Sequence, residues 1–165
     1  MMFDTEELQG SIEATKVVVT GDFTMERNIL GSSRGDFFIP NDRAMALSGA
    51  SEVAKALGAL GFEVHASGVI REDEHFLALQ ERLYVSGVDI SNLRSGLNLP
   101  SNVVTNYIDS ETKVRLLGSC SMNSHIFTDA YLKSFAKTVK GALVCVFVEN
   151  QFRSMSKEVM LTAMN

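Results

Sequence analysis

The sequence predicts an α/β fold in which a mostly parallel sheet is flanked by helices. Three observations carry this expectation. Lys16–Gly21 (KVVVTG) contains three consecutive valines, as strands buried on both faces of a parallel sheet do. Strand-like runs then alternate with segments of helical period as far as residue 90, the pattern of right-handed βαβ crossovers. The 165 residues are 45% hydrophobic and 21% charged, enough apolar material for one domain to bury a core without disulfide or metal staples.

Taken in order, residues 1–14 are an acidic, polar lead-in, and 15–165 form the domain. After the valine strand, residues 22–47 show no helical period and carry Gly31, Gly35 and Pro40. They read as a loop with a short hairpin near Asp36–Ile39. Ser51–Leu60 reads as a helix, with Val53, Leu57 and Leu60 on one face and Gly61 as its C-cap. Phe62–Ile70 is the next strand. Asp73 can cap a helix running to Ser86 that buries Phe76, Leu79 and Leu83 and stops at Gly87. The alternation then breaks. Ser101–Ile108 and Lys113–Leu117 are β-rich and flank Asp109-Ser110-Glu111-Thr112, a hairpin pattern. Asp129–Val139 is helical, with Leu132, Phe135, Ala136 and Val139 in line, and ends at Gly141. Ala142–Val148, the most apolar run, reads as a central strand. Ser154–Met164 reads as a last helix, with Met155, Val159 and Ala163 in line.

Several function classes are disfavoured at this level. A net charge of −5 and a pI near 5.2 offer no electrostatic footprint for nucleic acid. No apolar run approaches the roughly 20 residues of a membrane span. The start, MMFDTEELQG, resembles neither a secretory signal nor an Arg-rich transit peptide. Cys120 and Cys145 make no disulfide framework and no zinc spacing, and His65, His75 and His125 lack the spacing of metal ligands. The expected compartment is the cytoplasm.

Three constellations could carry chemistry. Gly21-Asp22 ends the first strand, and open α/β sheets bind ligands outside the carboxyl ends of their strands; the bland alternative is a turn aspartate. Ser48-Gly49-Ala50-Ser51-Glu52-Val53-Ala54 opens a helix with small residues, which lets a ligand approach free N–H groups; the alternative is a tight helix entry. Arg71-Glu72-Asp73-Glu74-His75 sets carboxylates beside a histidine, but reads better as a solvated helix start whose acids face the positive end of the dipole. Cys145, in an apolar strand, is expected to be inert.

The combined order of motifs is more telling than any one of them. Gly21-Asp22-Phe23-Thr24-Met25-Glu26-Arg27, Ser48-Gly49-Ala50-Ser51-Glu52-Val53-Ala54, Leu57-Gly58-Ala59-Leu60-Gly61 and Ser86-Gly87-Val88-Asp89 follow one another here as in the N-terminal portion of PfkB/ribokinase carbohydrate kinases. The chain resembles that family, and within it the kinases that phosphorylate a heptose 7-phosphate. The resemblance implies a ribokinase-like fold with a small β-lid, built from segments 23–47 and 100–118. It implies a sugar or sugar-phosphate ligand lined by Asp22, Glu26, Gly49 and Glu52.

The motifs depart from the family at telling places. The second acid after Gly-Asp is Glu26 rather than Asp. Ser48 stands for the first Gly of Gly-Gly-x-x-Asn, and Glu52 for its Asn. An ionised Glu only accepts hydrogen bonds, whereas Asn also donates. Aligned on the later lid strand, Val103 and Thr105 stand where the heptose kinases carry basic residues. In the family, a Gly-Ala-Gly-Asp turn supplies an anion hole and a catalytic Asp. No such turn occurs in these 165 residues, and Gly141 is the only glycine after Gly118.

The expected function is therefore a carbohydrate-kinase-like domain that lacks the ATP-binding, catalytic half. It would act as a non-catalytic binding or interaction domain. The alternative is the substrate-binding half of a split or truncated sugar kinase. No cofactor is expected in this chain, and ATP and Mg only if the missing half is supplied. The expected partner is a second copy or a complementary chain that covers the open sheet.

Overall fold

The valine run forms strand β1 (Lys16–Gly21) in a computed structural model that describes residues 15–96, 103–119, 128–149 and 157–164. Side chains of a strand alternate between faces, and the three valines are buried on both. Val17 and Val19 pack with Ala50 and Ala54 of helix α1 (Ala50–Ala59) and Leu79 and Leu83 of helix α2 (Glu74–Val85). Val18 packs the opposite way, with Tyr131 and Phe135 of helix α3 (Asp129–Val139) and Val159 of helix α4 (Lys157–Met164). Two helices therefore cover each face.

Flanking β1 in register are β4 (Glu63–Arg71) on one side and β8 (Val144–Val148) on the other, and β5 (Asp89–Gly96) lies outside β4. The order is β5-β4-β1-β8, all parallel. The mostly parallel α/β architecture is the one expected.

The chain leaves this sheet at Asp22 and builds a second one. β2 (Phe23–Arg34) and β3 (Phe37–Gly49) pair antiparallel over their whole length around a turn at Gly35-Asp36. β6 (Val103–Asp109) lies parallel to β2 on its other side, and β7 (Arg115–Ser119) closes the order β3-β2-β6-β7. The β6–β7 hairpin stands as expected. Its turn is held by the Asp109 carboxylate, which accepts from Glu111 N, Thr112 N and Thr112 Oγ1 at 2.8–3.1 Å.

Three expectations are corrected. Residues 22–47 are two long strands, not a loop. The signal is a period of two, with Phe23, Met25 and Ile29 buried on one face of β2, which a search for helical period overlooks. Pro40 is tolerated because β3 is an edge strand, and Gly31 because the Phe38 ring occupies the space of a side chain there. The alternation continues past residue 90 into β5, whose polar sequence hid it. Finally, the Ala142–Val148 run is not central: β8 is an edge strand that pairs, among the described residues, only with β1. In addition, Leu60 and Ala136, counted on buried helix faces, are exposed. Residues 1–14, Cys120, His125 and Met155 lie outside the described residues.

The face of the first sheet beneath α3 carries a polar row instead of an oily one. Asn92 Nδ2 donates to Ser67 Oγ at 2.6 Å, Ser67 Oγ pairs with Tyr131 Oη at 3.1 Å, and Ser134 Oγ donates to Asn92 Oδ1 at 2.6 Å. Burial pushes the Tyr131 hydroxyl above its ordinary value. Because its members satisfy one another, the row specifies how α3 sits on β4 and β5 without leaving a buried group unpaired.

Candidate functional site

Asp22 and Gly49 are the points at which the chain exits the parallel sheet and returns to it. Asp22 is 1% exposed. Its N–H donates to Val148 O at 2.9 Å, and its carbonyl accepts from Ala50 N, the first residue of α1, at 2.9 Å. Gly49 occupies φ +60°, ψ −135°, where side-chain-bearing residues are strained. A Cβ there would lie 2.5 Å from Asp22 O and 3.0 Å from Thr24 Oγ1. The glycine is required both by its backbone angles and by the close approach of β2.

Beyond this junction the second sheet presents a polar face. Thr24, Glu26 and Asn28 alternate along β2, opposite Ser48, Ala46 and Ala44 of β3 and beside Val104 and Asn106 of β6. Glu26 accepts a hydrogen bond from Asn106 Nδ2, which also donates to Asn28 Oδ1 at 2.9 Å. Three side-chain oxygens are buried with no hydrogen-bond partner among the described residues: Thr24 Oγ1, Ser51 Oγ and Asn106 Oδ1. Buried polar atoms are nearly always paired, so such orphans call for an explanation.

The opposite face of the same sheet is apolar toward α2, with Met25 and Val103 lining a small cavity beside Ile70, His75 and Phe76. Arg27 extends on that side, and its Nη2 lies 2.7 Å from His75 Nε2. Val103 and Thr105 pair in register with Met25 and Arg27, so they belong to this face. The residues of β6 that share a face with Glu26 are Val104 and Asn106, one step along from the positions chosen by alignment.

The other predicted residues are placed as follows. Glu26 shares the polar face with Thr24, two residues beyond Asp22. Glu52 is exposed on α1 and lines a groove of about 660 Å³ with Ala46, Lys55, Glu81 and Arg82, to which Asp22, Glu26 and Gly49 do not contribute. Asp73 is the N-cap of α2, accepting from His75 N at 2.9 Å, the structural role preferred for that acidic segment. Cys145 is a free thiol that burial pushes up to about 11, which leaves it protonated and weakly nucleophilic near neutral pH. Thr24, Ser51, Asn28 and Asn106 were not singled out from the sequence. The signal that exposes Thr24 and Asn28 is polar alternation along β2, readable only once 22–47 is taken as strand; Ser51 and Asn106 lie on α1 and β6, outside that pattern.

No family model matches the chain, and no curated protein matches it in sequence. Solved structures do. Ribokinase from Arabidopsis thaliana, complexed with ribose and ATP, superposes with a TM-score of 0.67 at 17% identity over 91% of this chain and 49% of its own. The fold is ribokinase-like. A carbohydrate kinase from Agrobacterium tumefaciens gives a TM-score of 0.67 at 15% identity, over 81% of this chain and 45% of that one. The nucleoside kinase of Methanocaldococcus jannaschii gives 0.58 at 14%, over 90% and 57%. The chain thus spans about half the length of the ribokinase-like structures it matches. None of these neighbours singles out a heptose 7-phosphate kinase.

The Gly-Ala-Gly-Asp turn is missing from the 165 residues, and the described residues contain no cluster of three or more His, Cys, Asp or Glu able to hold a metal ion. No helix among the described residues is long and apolar enough to cross a membrane.

Proposed function

We propose that this chain is a carbohydrate-kinase-like binding domain that holds a sugar-like polyol where its two sheets meet, without transferring a phosphoryl group by itself. The observation that carries the reading is the set of orphaned oxygens Thr24 Oγ1, Ser51 Oγ and Asn106 Oδ1, buried around the Asp22–Gly49 junction and the Glu26 face. Polyol hydroxyls both donate and accept, and so could complete all three. Calorimetric titration with a panel of pentoses, hexoses and polyols tests the reading. Binding that disappears in Asp22→Ala supports it, and unchanged affinity in that variant rejects the site.

The domain acts with a partner, either a second copy or a complementary chain. Supporting this is the β8 edge, which among the described residues pairs only with β1 and carries exposed Val144 and Phe147 next to exposed Leu143. Exposed parallel edges with apolar flanks invite pairing. A stable monomer at micromolar concentration in light scattering overturns this part. The same edge favours the second reading, a substrate-binding half completed by a polypeptide that carries the ATP site. ATP-dependent sugar phosphorylation on mixing the two would establish it.

A further inference from the structure

We infer that the polyol bound at this site carries an amine, which meets Glu26 as an ammonium; the inference rests on the reading of the site above and narrows its ligand class. The argument begins with a count of donors and acceptors. On the face are the Glu26 carboxylate, Asn106 Oδ1 and the Thr24 hydroxyl. The Asn106 amide that could have donated to a ligand is spent on Glu26 and on Asn28 Oδ1. The Glu26 carboxylate and Asn106 Oδ1 can only accept, whereas the hydroxyl can do either.

Charge points the same way. Thr24, Glu26, Asn28, Ala44, Ala46, Ser48, Val104 and Asn106 make up the face in register, and none is basic. The arginine next in sequence, Arg27, projects to the opposite face and lies against His75. The described residues show no ion pair to Glu26. A partly buried carboxylate hydrogen-bonded only to neutral amide is stabilised most by a cation brought by the ligand. A phosphate, which only accepts and is anionic, meets acceptors and a like charge. Two orphaned oxygens on this face, Thr24 Oγ1 and Asn106 Oδ1, each on a residue no more than 3% exposed, distinguish it from a merely acidic patch.

The test compares matched ligands on the intact chain by titration calorimetry. Each hexose or pentose of a panel is paired with its 2-amino-2-deoxy derivative and with its phosphate ester. A charge-assisted hydrogen bond outweighs a neutral one by enough to make the amine bind about tenfold tighter than its parent sugar. The phosphate ester should not bind measurably. In Glu26→Gln, an isosteric change whose folding is checked by its melting curve, amine and parent sugar should bind alike. If the parent sugar binds as well as the amine in the native chain, or the phosphate binds best, the inference is overturned while the polyol site stands. If no member of the panel binds, both are overturned. Because the decisive comparison uses the native chain, a misfolded Glu26→Gln does not rescue the inference.

Discussion

Gly49 and Asp22 lock the two sheets together. The backbone of Gly49 lies so close to the Asp22 carbonyl that a Cβ would sit 2.5 Å from its oxygen, while that oxygen receives the first N–H of α1 at 2.9 Å. One contact thereby orients the exit of β2, the return of β3 and the N-terminus of α1. Substitution tests this directly. Gly49→Ala should destabilise the fold by about 2 kcal/mol or more, combining left-handed strain with the clash. Urea denaturation measures it, and a loss within error of zero would show that the junction is not constrained as described.

Thr24→Val separates stability from binding. The Thr24 hydroxyl is buried without a partner among the described residues, so replacing it by an isosteric methyl should leave stability unchanged or raise it by about 1 kcal/mol. Ligand affinity should fall at the same time. Thermal melts and calorimetry on the same sample decide; a marked loss of stability would mean that the hydroxyl serves the fold.

Asn92 behaves in the opposite way. It donates to Ser67 and accepts from Ser134, both at 2.6 Å, on a face covered by α3. Asn92→Ala removes one hydrogen-bond partner from each of two hydroxyls, which keep Tyr131 and Arg94, and should cost about 1–3 kcal/mol, more than a surface substitution. Denaturant unfolding checks this, and a cost below about 0.5 kcal/mol would mean that the row is dispensable.

Acid sensitivity should trace to Asp89. Partial burial acts to raise its carboxyl, but hydrogen bonds from Ser91 and the neighbouring His65 outweigh it and hold it below the usual value. His65 lies between Glu63 and Asp89, 2.8 Å from each. A depressed carboxyl favours the folded state above its unfolded value, near 3.9, and that contribution is lost as pH falls through the lower folded value. The stability difference between the native chain and Asp89→Asn should therefore be constant around neutrality and shrink below about pH 4. A difference that persists at pH 2 would assign the effect to packing.

Self-association should depend on the β8 edge. Phe147 is 38% exposed beside it, and lysine on an edge strand discourages pairing. Phe147→Lys should shift the mass seen in light scattering toward monomer, whereas an unchanged oligomer would place the interface elsewhere, the second sheet being the next surface to mutate.

Much of the fold could be read from the chain because it is local. Val17–Val19 declare a strand buried on two faces. Asp73 caps α2 through a hydrogen bond two residues away, and Gly61, Gly87 and Gly141 end helices with positive φ. The 22–47 segment was harder, because β2 has one polar and one apolar face and a bulge at Leu30/Gly31 interrupts its register. β5 was hidden by polarity, since Asn92 is buried through its partners and not through its own side chain. Periodicity alone made Ala142–Val148 a central strand, and its edge position was legible only through the family resemblance, which left the sheet open after it, because strand order is a long-range property.

The candidate site divides along the same line. By itself the sequence determined that Asp22 and Gly49 flank strand and helix ends and that Glu26 follows at a short interval, because these are matters of order and spacing. Only the tertiary structure decided which residues share a face. Pairing of β2 with β6, nearly eighty residues apart, brings Asn106 to Glu26 and Asn28. The turn of α1 carries Glu52 into a groove with Arg82. Strand register alternates sides with every residue, so a shift of one position separates a ligand-facing residue from a core residue, and no count along the chain can supply it.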